Sequence, residues 1–358
     1  MKNKLRLMSV LLSCGALLFS ACNKEETVEP LAESDQQTRA HDAELMVDYA
    51  DDMFIPKEDE FAAIFDENRF NNTEVFEADA NEPITIVTEG GVILELPANA
   101  LETEGGEIVE GGVRVFFNGI TDRAEMVIQD RGTTGINLDG TGESSLFSGG
   151  EFFIEIRSGV EPLVLNAPMT VSVPTADPDP EMQLFVEAEG TGDDLLWQLA
   201  PDRPVTIVDR EPIGEGDGGT YFQFNILPAL GNQWGWINID KFNADRCTPD
   251  DASEVSVELP AGNDPTNSKV YIIECGQTNR VLTLWRWDAA TNSFLSPGAG
   301  ICPDLCVHFI LVTNVNGTLE YSIHSSVTIN PGSHTEVFTA PFTAGSSASL
   351  AALINALP

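Results

Sequence analysis

The sequence is poor in basic residues and in histidine. It has 18 Lys and Arg against 57 Asp and Glu, with 4 His, and its formal net charge at pH 7 is −39. This charge repels a phosphate backbone, so the composition argues against nucleic acid as a partner and makes an anionic membrane surface a poor direct partner. A solvated acidic surface is the ordinary explanation, and attraction of Ca²⁺ or of a basic partner is the alternative.

The sequence also lacks a recognisable catalytic set. The histidines, at positions 41, 308, 324 and 334, show no metal-ligand spacing, and no Gly-x-Ser-x-Gly motif is present. His308 lies in an apolar strand and is expected to be a satisfied, half-buried residue. We therefore assign no catalytic residue, no metal ligand and no cofactor, and we do not expect an enzyme.

No apolar run is long enough for a transmembrane helix, but residues 1–21 have the parts of an export signal. A basic head is followed by the apolar residues 7–18 and then by Phe19-Ser20-Ala21-Cys22. This end resembles a bacterial lipobox, although Phe19 stands where Leu is commonest. The resemblance implies that Cys22 is lipidated and anchors the chain in the outer membrane. An ordinary signal peptide with a free Cys22 is the alternative.

Residues 22–80 are predicted to be a disordered acidic tether with one short helix. Asn23-Lys24-Glu25-Glu26 resembles the acidic export signal of surface lipoproteins of Bacteroidetes-type bacteria. It implies display towards the cell exterior, with the periplasmic face as the alternative. Phe61, Ile64 and Phe65 have helical spacing within residues 58–70. That helix is expected to dock on the first domain or to bind a partner.

The rest of the chain indicates an all-β fold of two antiparallel β-sandwich-like modules, at residues 81–246 and 247–358. Its 30 Gly and 21 Pro separate short segments of alternating character. In residues 151–157, Phe152, Ile154 and Ile156 share one face and Glu151 and Phe153 lie on the other.

The first module resembles a known domain. Gly90-Gly91-Val92 followed by Leu96-Pro97-Ala98-Asn99-Ala100-Leu101 is similar to the opening of the ZU-type β-sandwich of ankyrins, zonula occludens proteins and netrin receptors. Ser148-Gly149-Gly150-Glu151-Phe152 and the segment from Trp236 to Phe242 resemble the version in Bacteroidetes surface lipoproteins. These motifs are turn and core positions over about residues 80–245. The resemblance implies a β-sandwich and, from the eukaryotic relatives, an interaction module rather than an enzyme.

Two acidic stretches of the first module are candidates for a cation site. Asp122, Glu125 and Asp130 allow a cation pocket or a general acid, but no His, Cys or Ser accompanies them, and Asp122 is expected to cap a turn. Residues 137–143 place carboxylates in a Gly-rich loop without the spacing of an EF-hand, so they indicate Ca²⁺ only weakly. Structural roles are therefore expected for both stretches.

The second module contains four cysteines, Cys247, Cys275, Cys302 and Cys306. An even number in an exported chain predicts two disulfides, and a zinc site is the alternative. Three pairings are open, with Cys247–Cys275 and Cys302–Cys306 preferred. Residues 346–357 are predicted to form a short apolar helix capped by Ser346 or Ser347.

These observations predict a lipid-anchored cell-envelope protein of non-enzymatic binding or scaffold type. Its partner would be another envelope protein or an extracellular ligand. One alternative is a glycan hydrolase, with acidic loops beside a platform of Trp234 and Trp236, although such a pair is more often a core wall. The other is a structural component of an envelope complex with no soluble ligand.

Overall fold

The computed structural model describes residues 61–138, 140, 142–188, 195–212, 218–228, 235–242, 247, 251–297, 300–315 and 317–358. The predicted signal peptide, Cys22 and most of the predicted tether lie outside the described residues, as does Trp234. The acidic loop 137–143 is described except for Asp139 and Thr141.

The first part of the described chain contains two helices and fifteen strands. In chain order they are α1 (Ala62–Asn71), β1 (Glu74–Asp79), β2 (Ile84–Val87), β3 (Ile93–Leu96), β4 (Leu101–Glu102), β5 (Gly112–Ile120), α2 (Arg123–Ile128), β6 (Thr134–Ile136), β7 (Glu143–Ser158), β8 (Glu161–Pro162), β9 (Val164–Leu165), β10 (Met169–Pro174), β11 (Gln183–Glu187), β12 (Trp197–Leu199), β13 (Thr206–Arg210), β14 (Gly219–Ile226) and β15 (Gly235–Phe242).

The remaining described chain adds nine strands and a helix. They are β16 (Glu254–Glu258), β17 (Ser268–Glu274), β18 (Val281–Leu284), β19 (Arg286–Asp288), β20 (Ser293–Leu295), β21 (Cys306–Val315), β22 (Thr318–Thr328), β23 (Ser333–Val337), β24 (Thr343–Ala344) and α3 (Ser347–Asn355). The mostly antiparallel strands and the C-terminal helix confirm the predicted all-β class. Ser346 caps α3 by accepting the backbone N–H of Ser349 at 3.2 Å.

The first sandwich packs two sheets face to face. Sheet 1 has the order β1-β5-β7-β15-β11-β12-β6, with β8 on β7, and sheet 2 has the order β13-β14-β10-β3-β2. The apolar face predicted for residues 151–157 lies between them, since Phe152, Ile154 and Ile156 join the first core with Val171 and Phe224 of sheet 2. Burial of alternate residues therefore determines the register of this sandwich.

The first sandwich begins earlier than the sequence suggested. Strand β1 lies inside the range assigned to the tether, yet it pairs antiparallel with β5 from Glu74 opposite Phe117 to Asp79 opposite Gly112. The acidic residues of β1 made it look like part of the tether. An edge strand can carry such residues, because one of its sides is open to solvent. Before β1, Phe65 of α1 and Phe61, the residue that precedes this helix, are buried, so the helix is docked.

Five strands of sheet 1 close into a ring. β7 pairs with β15, β15 with β11, β11 with β12, β12 with β6, and β6 returns to the start of β7. One face of β7 and β15 packs on sheet 2, so the ring encloses the other face. Leu146, Phe185 and Trp197 are fully buried on that face.

The second sandwich is built from sheet 3, with the order β19-β20-β16-β23, and sheet 4, with the order β18-β17-β21-β22-β24. Sheet 4 is covered on both faces. Val270 and Ile272 of β17 belong to the core shared with sheet 3, whereas Tyr271 and Ile273 belong to a core shared with the first sandwich. The apolar run of β17 is typical of a strand buried on both sides.

The two sandwiches therefore meet through a third apolar core. It joins the ring face of sheet 1 to sheet 4, and the three helices of the described chain contribute to it through Phe65 of α1, Met126 of α2 and Leu350 of α3. Within the described ranges, no helix has the length and apolarity that a bilayer crossing requires.

Candidate functional site

The four predicted disulfide cysteines form two disulfides, but the preferred pairing is wrong. Cys247 is bonded to Cys302, with Cα atoms 5.7 Å apart, and Cys275 to Cys306, with Cα atoms 5.4 Å apart. The reason is the sheet order: β17, which ends before Cys275, is the antiparallel neighbour of β21, which begins at Cys306. Because all four sulfur atoms are in disulfides, they are not available as thiolate ligands for zinc. The disulfides also indicate an oxidising compartment.

Asp122 and Glu125 have structural roles. Asp122 caps α2, because its carboxylate accepts the backbone N–H groups of Ala124 at 2.8 Å and Glu125 at 3.0 Å. Glu125 accepts the side-chain amide of Gln129 at 2.8 Å. Burial raises the pKa of Glu125, and the bond from Gln129 opposes that rise in part. The structural role predicted for Asp122 is confirmed, but the element that it caps is a helix and not a turn.

Asp130 connects the two sandwiches through hydrogen bonds and an ion pair. Its two carboxylate oxygens accept hydrogen bonds from the Tyr271 hydroxyl and the Lys269 ammonium group of β17, both at 2.7 Å. Burial raises the pKa of Asp130, but attraction to Lys269 and these hydrogen bonds outweigh it, so the pKa is lowered. Asp122, Glu125 and Asp130 thus have separate partners and do not form a joint acidic pocket.

A second pair of carboxylates, which we call the acid pair, lies on the enclosed face of the strand ring. Glu151 of β7 and Asp240 of β15 are both fully buried. Asp240 lies opposite Ser148 and Glu151 opposite Asn238, with a β-bulge between Asn238 and Asp240. Ser148 donates its hydroxyl to Asn238 at 2.9 Å, and the Asn238 amide donates to Asp240 Oδ2 at 2.7 Å.

The other oxygens of the acid pair have no such partner. Glu151 Oε1 and Oε2 and Asp240 Oδ1 are buried and accept no hydrogen bond from any residue that the structure describes. A buried charge without hydrogen bonds is costly, so the neutral form of the carboxyl is favoured. Burial raises the pKa of Glu151 to about 8 despite the attraction of Arg131. Burial and then the charge of Glu151 raise the pKa of Asp240 well above its ordinary value.

Arg131 is the cation that faces the acid pair. It lies in the loop after α2, with its guanidinium carbon 4.2 Å from the centre of the Trp236 ring. One guanidinium nitrogen is 3.9 Å from Glu187 of β11, so its charge is shared with a third carboxylate. Burial lowers the pKa of Arg131 to about 10, which leaves it protonated at neutral pH.

Trp236 lies in the wall of a buried core and does not form an open platform. Only 6% of its surface is exposed, and its ring centre is 5.7 Å from that of Phe153. Its predicted neighbour Trp234 lies outside the described residues. A hydrolase pair would need two carboxyl groups about 5 to 10 Å apart in an open cleft. Because Glu151 and Asp240 have no exposed surface, this pair does not line one.

The second sandwich closes over the site through the 275–281 turn between β17 and β18. Backbone N–H groups of Ser148 and Thr133 donate to the carbonyls of Asn279 at 3.2 Å and Val281 at 2.7 Å. Gly132 allows this approach, because a Cβ there would lie 2.4 Å from Thr283 Oγ1. We call this contact between the turn, Ser148 and the loop 131–133 the joint.

The C-terminal histidines form a separate structural cluster. His324 Nδ1 contacts one oxygen of Glu336, and His334 Nε2 lies 3.4 Å from the other. The imidazoles stack on Phe338 and Phe309, with ring centres 4.2 and 5.7 Å apart, respectively. Glu336 on β23 thus links to His324 on β22, across sheets 3 and 4 at the rim of their core.

His308 is satisfied, as expected, but it is fully buried and not half-buried. Its Nδ1 accepts the backbone N–H of Ser326 at 3.2 Å, so Nε2 carries the proton and donates to the carbonyl of Pro358 at 3.1 Å. The difference in burial arises because the C-terminal residues after α3 cover this face of sheet 4. Among the described residues, no group of three or more His, Cys, Asp or Glu side chains could hold a metal ion.

The chemistry that this arrangement supports is proton binding inside a closed contact. Sequence reasoning missed the acid pair, since an acid that alternates with apolar residues usually faces solvent. The signal that could have revealed it is the apolar run of Val270 to Ile273, which indicates a sheet covered on both faces. Comparison of the chain with protein-family models, curated proteins and solved structures found no match.

Proposed function

We propose that this chain is a lipid-anchored protein of the bacterial cell envelope that presents a rigid pair of β-sandwiches to the cell exterior. Its role is binding or scaffolding, and the observation that carries the proposal is Phe19-Ser20-Ala21-Cys22 behind a basic head and an apolar run. Small residues directly before a cysteine suit diacylation of that cysteine, which would anchor the chain in the outer membrane.

The two disulfides support an exported location. Cys247–Cys302 and Cys275–Cys306 both lie in the second sandwich, and such bonds persist in oxidising compartments. Reduction in the cytosol would remove them. The export signal and the cysteine chemistry therefore point to the same side of the cytoplasmic membrane.

The charge distribution supports a body that stays apart from the anionic membrane surface. The net charge is −39, and several of the few cations are used inside the fold. Arg157 with Glu155 and Arg280 with Glu274 form largely buried ion pairs, and Arg210 forms a partly exposed ion pair with Glu95. The remaining exposed acids would repel anionic lipid, so the anchor and not the folded body would hold the protein at the membrane.

A binding or scaffold role suits a body whose two sandwiches share a core and backbone hydrogen bonds. The ZU-type resemblance of about residues 80–245 adds the expectation of an interaction module. Its partner would be another envelope protein or an extracellular ligand. A structural component of an envelope complex is the variant of this role in which no soluble ligand exists.

Anchoring is tested with Cys22→Ala and a matched Cys14→Ala variant, since Cys14 lies in the apolar part of the signal. Cells are labelled with a fatty-acid analogue and fractionated. We expect Cys22→Ala to lose the label and leave the outer-membrane fraction, whereas Cys14→Ala keeps both. Label retained on Cys22→Ala would contradict lipidation at this residue.

Digestion by protease added to intact cells tests outward display, and full protection of the protein from digestion would contradict such display.

The role is tested by crosslinking intact cells and isolating the native lipoprotein, with Cys22→Ala as the control. A stoichiometric envelope protein that is absent from the control supports a scaffold in a complex. Without such a protein, glycans, peptides and Ca²⁺ are screened against the soluble form, and saturable binding supports a binding role. A reproducible hydrolytic activity abolished by one side-chain change would overturn the non-enzymatic role.

A further inference from the structure

We propose that the joint between the two sandwiches holds a proton on the acid pair at neutral pH, and that its loss in an alkaline medium loosens the docking of the 275–281 turn. The proposal concerns the folded body alone, so it does not depend on the lipid anchor or on any partner. It makes the contact between the sandwiches responsive to the pH of the surrounding medium.

The first support is an imbalance of hydrogen-bond acceptors and donors. Three of the four oxygens of Glu151 and Asp240 accept no hydrogen bond within the described chain, and Asn118 Oδ1 on the adjacent strand β5 is also buried without a donor. The two acids are diagonal neighbours on one face of β7 and β15. Arg131 Nε is also buried without a partner, so it does not donate to these oxygens, and a shared proton supplies a donor that they lack.

The second support is the balance of charge. Among the described residues, the charged groups on the elements packed around the acid pair include Arg131, Glu187, Arg69, Asp130 with Lys269, and Arg280 with Glu274. Arg69 is paired with Asp66, and Lys269 and Arg280 are in the ion pairs just given. Arg131 faces the acid pair, but it also lies beside Glu187. Two ionised acids would therefore exceed the positive charge available to them.

The third support is the direct connection from the acid pair to the joint. Asp240 lies opposite Ser148, whose backbone N–H donates to the Asn279 carbonyl and whose carbonyl accepts the Asn279 side-chain amide at 2.5 Å. Arg131 is followed by Gly132 and Thr133, and Thr133 hydrogen-bonds to Val281. Repulsion between two ionised acids would thus act on both sides of the turn.

The direction of the pH effect follows from the shift of Glu151. Its folded pKa, about 8, lies above the value of an exposed glutamate. The stabilisation by the neutral form is therefore complete below the unfolded pKa and is lost as the pH rises through about 8. The raised pKa of Asp240 acts in the same direction.

The proton itself is tested by infrared difference spectra of the wild type between about pH 6 and about pH 9.5. We expect the carbonyl band of a protonated carboxylic acid to disappear on alkalinisation. The band should be absent from Glu151→Gln/Asp240→Asn and retained in Glu161→Gln, which removes an exposed acid from the same sheet. Absence of the band from the wild type overturns the proposal without need of any variant.

Loosening of the joint is tested by hydrogen exchange over the same pH range, corrected for the intrinsic rate. In the wild type we expect protection of the Thr133 and Val281 amides to fall about tenfold, while Val171 in sheet 2 keeps its protection. Glu151→Gln should abolish most of that fall. Equal losses in all three segments, or in the wild type and Glu151→Gln alike, would overturn the proposal. If Glu151→Gln does not fold, the comparison with Val171 decides.

Discussion

Replacing Asp130 by asparagine should weaken the contact between the sandwiches. The substitution keeps the shape and suits the left-handed backbone at this position, where φ is 52°, because asparagine tolerates that region. It removes the charge that pairs with Lys269 at 2.7 Å and weakens the acceptor of the Tyr271 hydroxyl, also at 2.7 Å. Lys269 would then lie next to an apolar core without the charge of this carboxylate.

The size of this effect follows from burial. Breaking a buried ion pair by removing one partner costs about 3–5 kcal/mol, and a hydrogen bond to a charged group contributes about 1.5–3 kcal/mol. The side chains of Lys269 and Asp130 keep 19% and 15% of their exposure, so water relieves part of the loss. We expect Asp130→Asn to lower the free energy of unfolding by about 2–4 kcal/mol.

Urea unfolding at neutral pH measures the change, with Asp202→Asn as a control that removes an exposed acid. The pKa of Asp130 is lowered, so its stabilisation is present above the unfolded pKa of about 4 and is lost as the pH falls below it. Asp130→Asn should therefore lose less stability than the wild type in acid. A loss under about 0.5 kcal/mol, or full additivity with Tyr271→Phe, would refute the reasoning.

Three further substitutions test other contacts. Gly132→Ala should lose about 1–3 kcal/mol in urea unfolding, because its Cβ would clash with Thr283 Oγ1, and Thr283→Ala should restore part of the loss. Asp122→Ala should lose about 1 kcal/mol and Asp122→Asn much less, since asparagine also caps helices, so equal losses would contradict the cap. Cys275→Ala/Cys306→Ala opens a loop of 31 residues and should cost about 3–4 kcal/mol, while peptide mapping should still find the other disulfide.

Local patterns predicted much of the fold. Strands at residues 84–87, 113–117 and 151–157 follow from alternation, because a period of two places apolar side chains on one face of a sheet. The cap of α3 at Ser346 and the cap of α2 at Asp122 follow from side chains that can accept backbone N–H groups. These features depend on neighbours a few residues away.

Features that depend on residues distant in the chain could not be predicted from sequence patterns. The disulfide pairing depends on β17 lying beside β21, and consecutive numbering of strands does not reveal that neighbour. Three pairings of four cysteines satisfy the composition equally, and the strand order selects one. The acidic strand β1 was assigned to the tether for a similar reason, since its partner β5 comes more than thirty residues later.

The acid pair shows why the alternation of a strand does not by itself locate the solvent. Glu151, Phe153, Glu155 and Arg157 occupy one face of β7, which is the pattern of a sheet with a solvated side. Glu155 and Arg157 are also buried, and they satisfy each other by an ion pair at 2.6 Å. Glu151, further along that face, is enclosed by the strand ring and the second sandwich, and its carboxylate accepts no hydrogen bond from the described residues. The same residue type thus forms a simple ion pair at one position and binds a proton at another. What decides between them is the partner: Arg157 lies two residues from Glu155 on the same face of β7, whereas Phe153 lies two residues from Glu151.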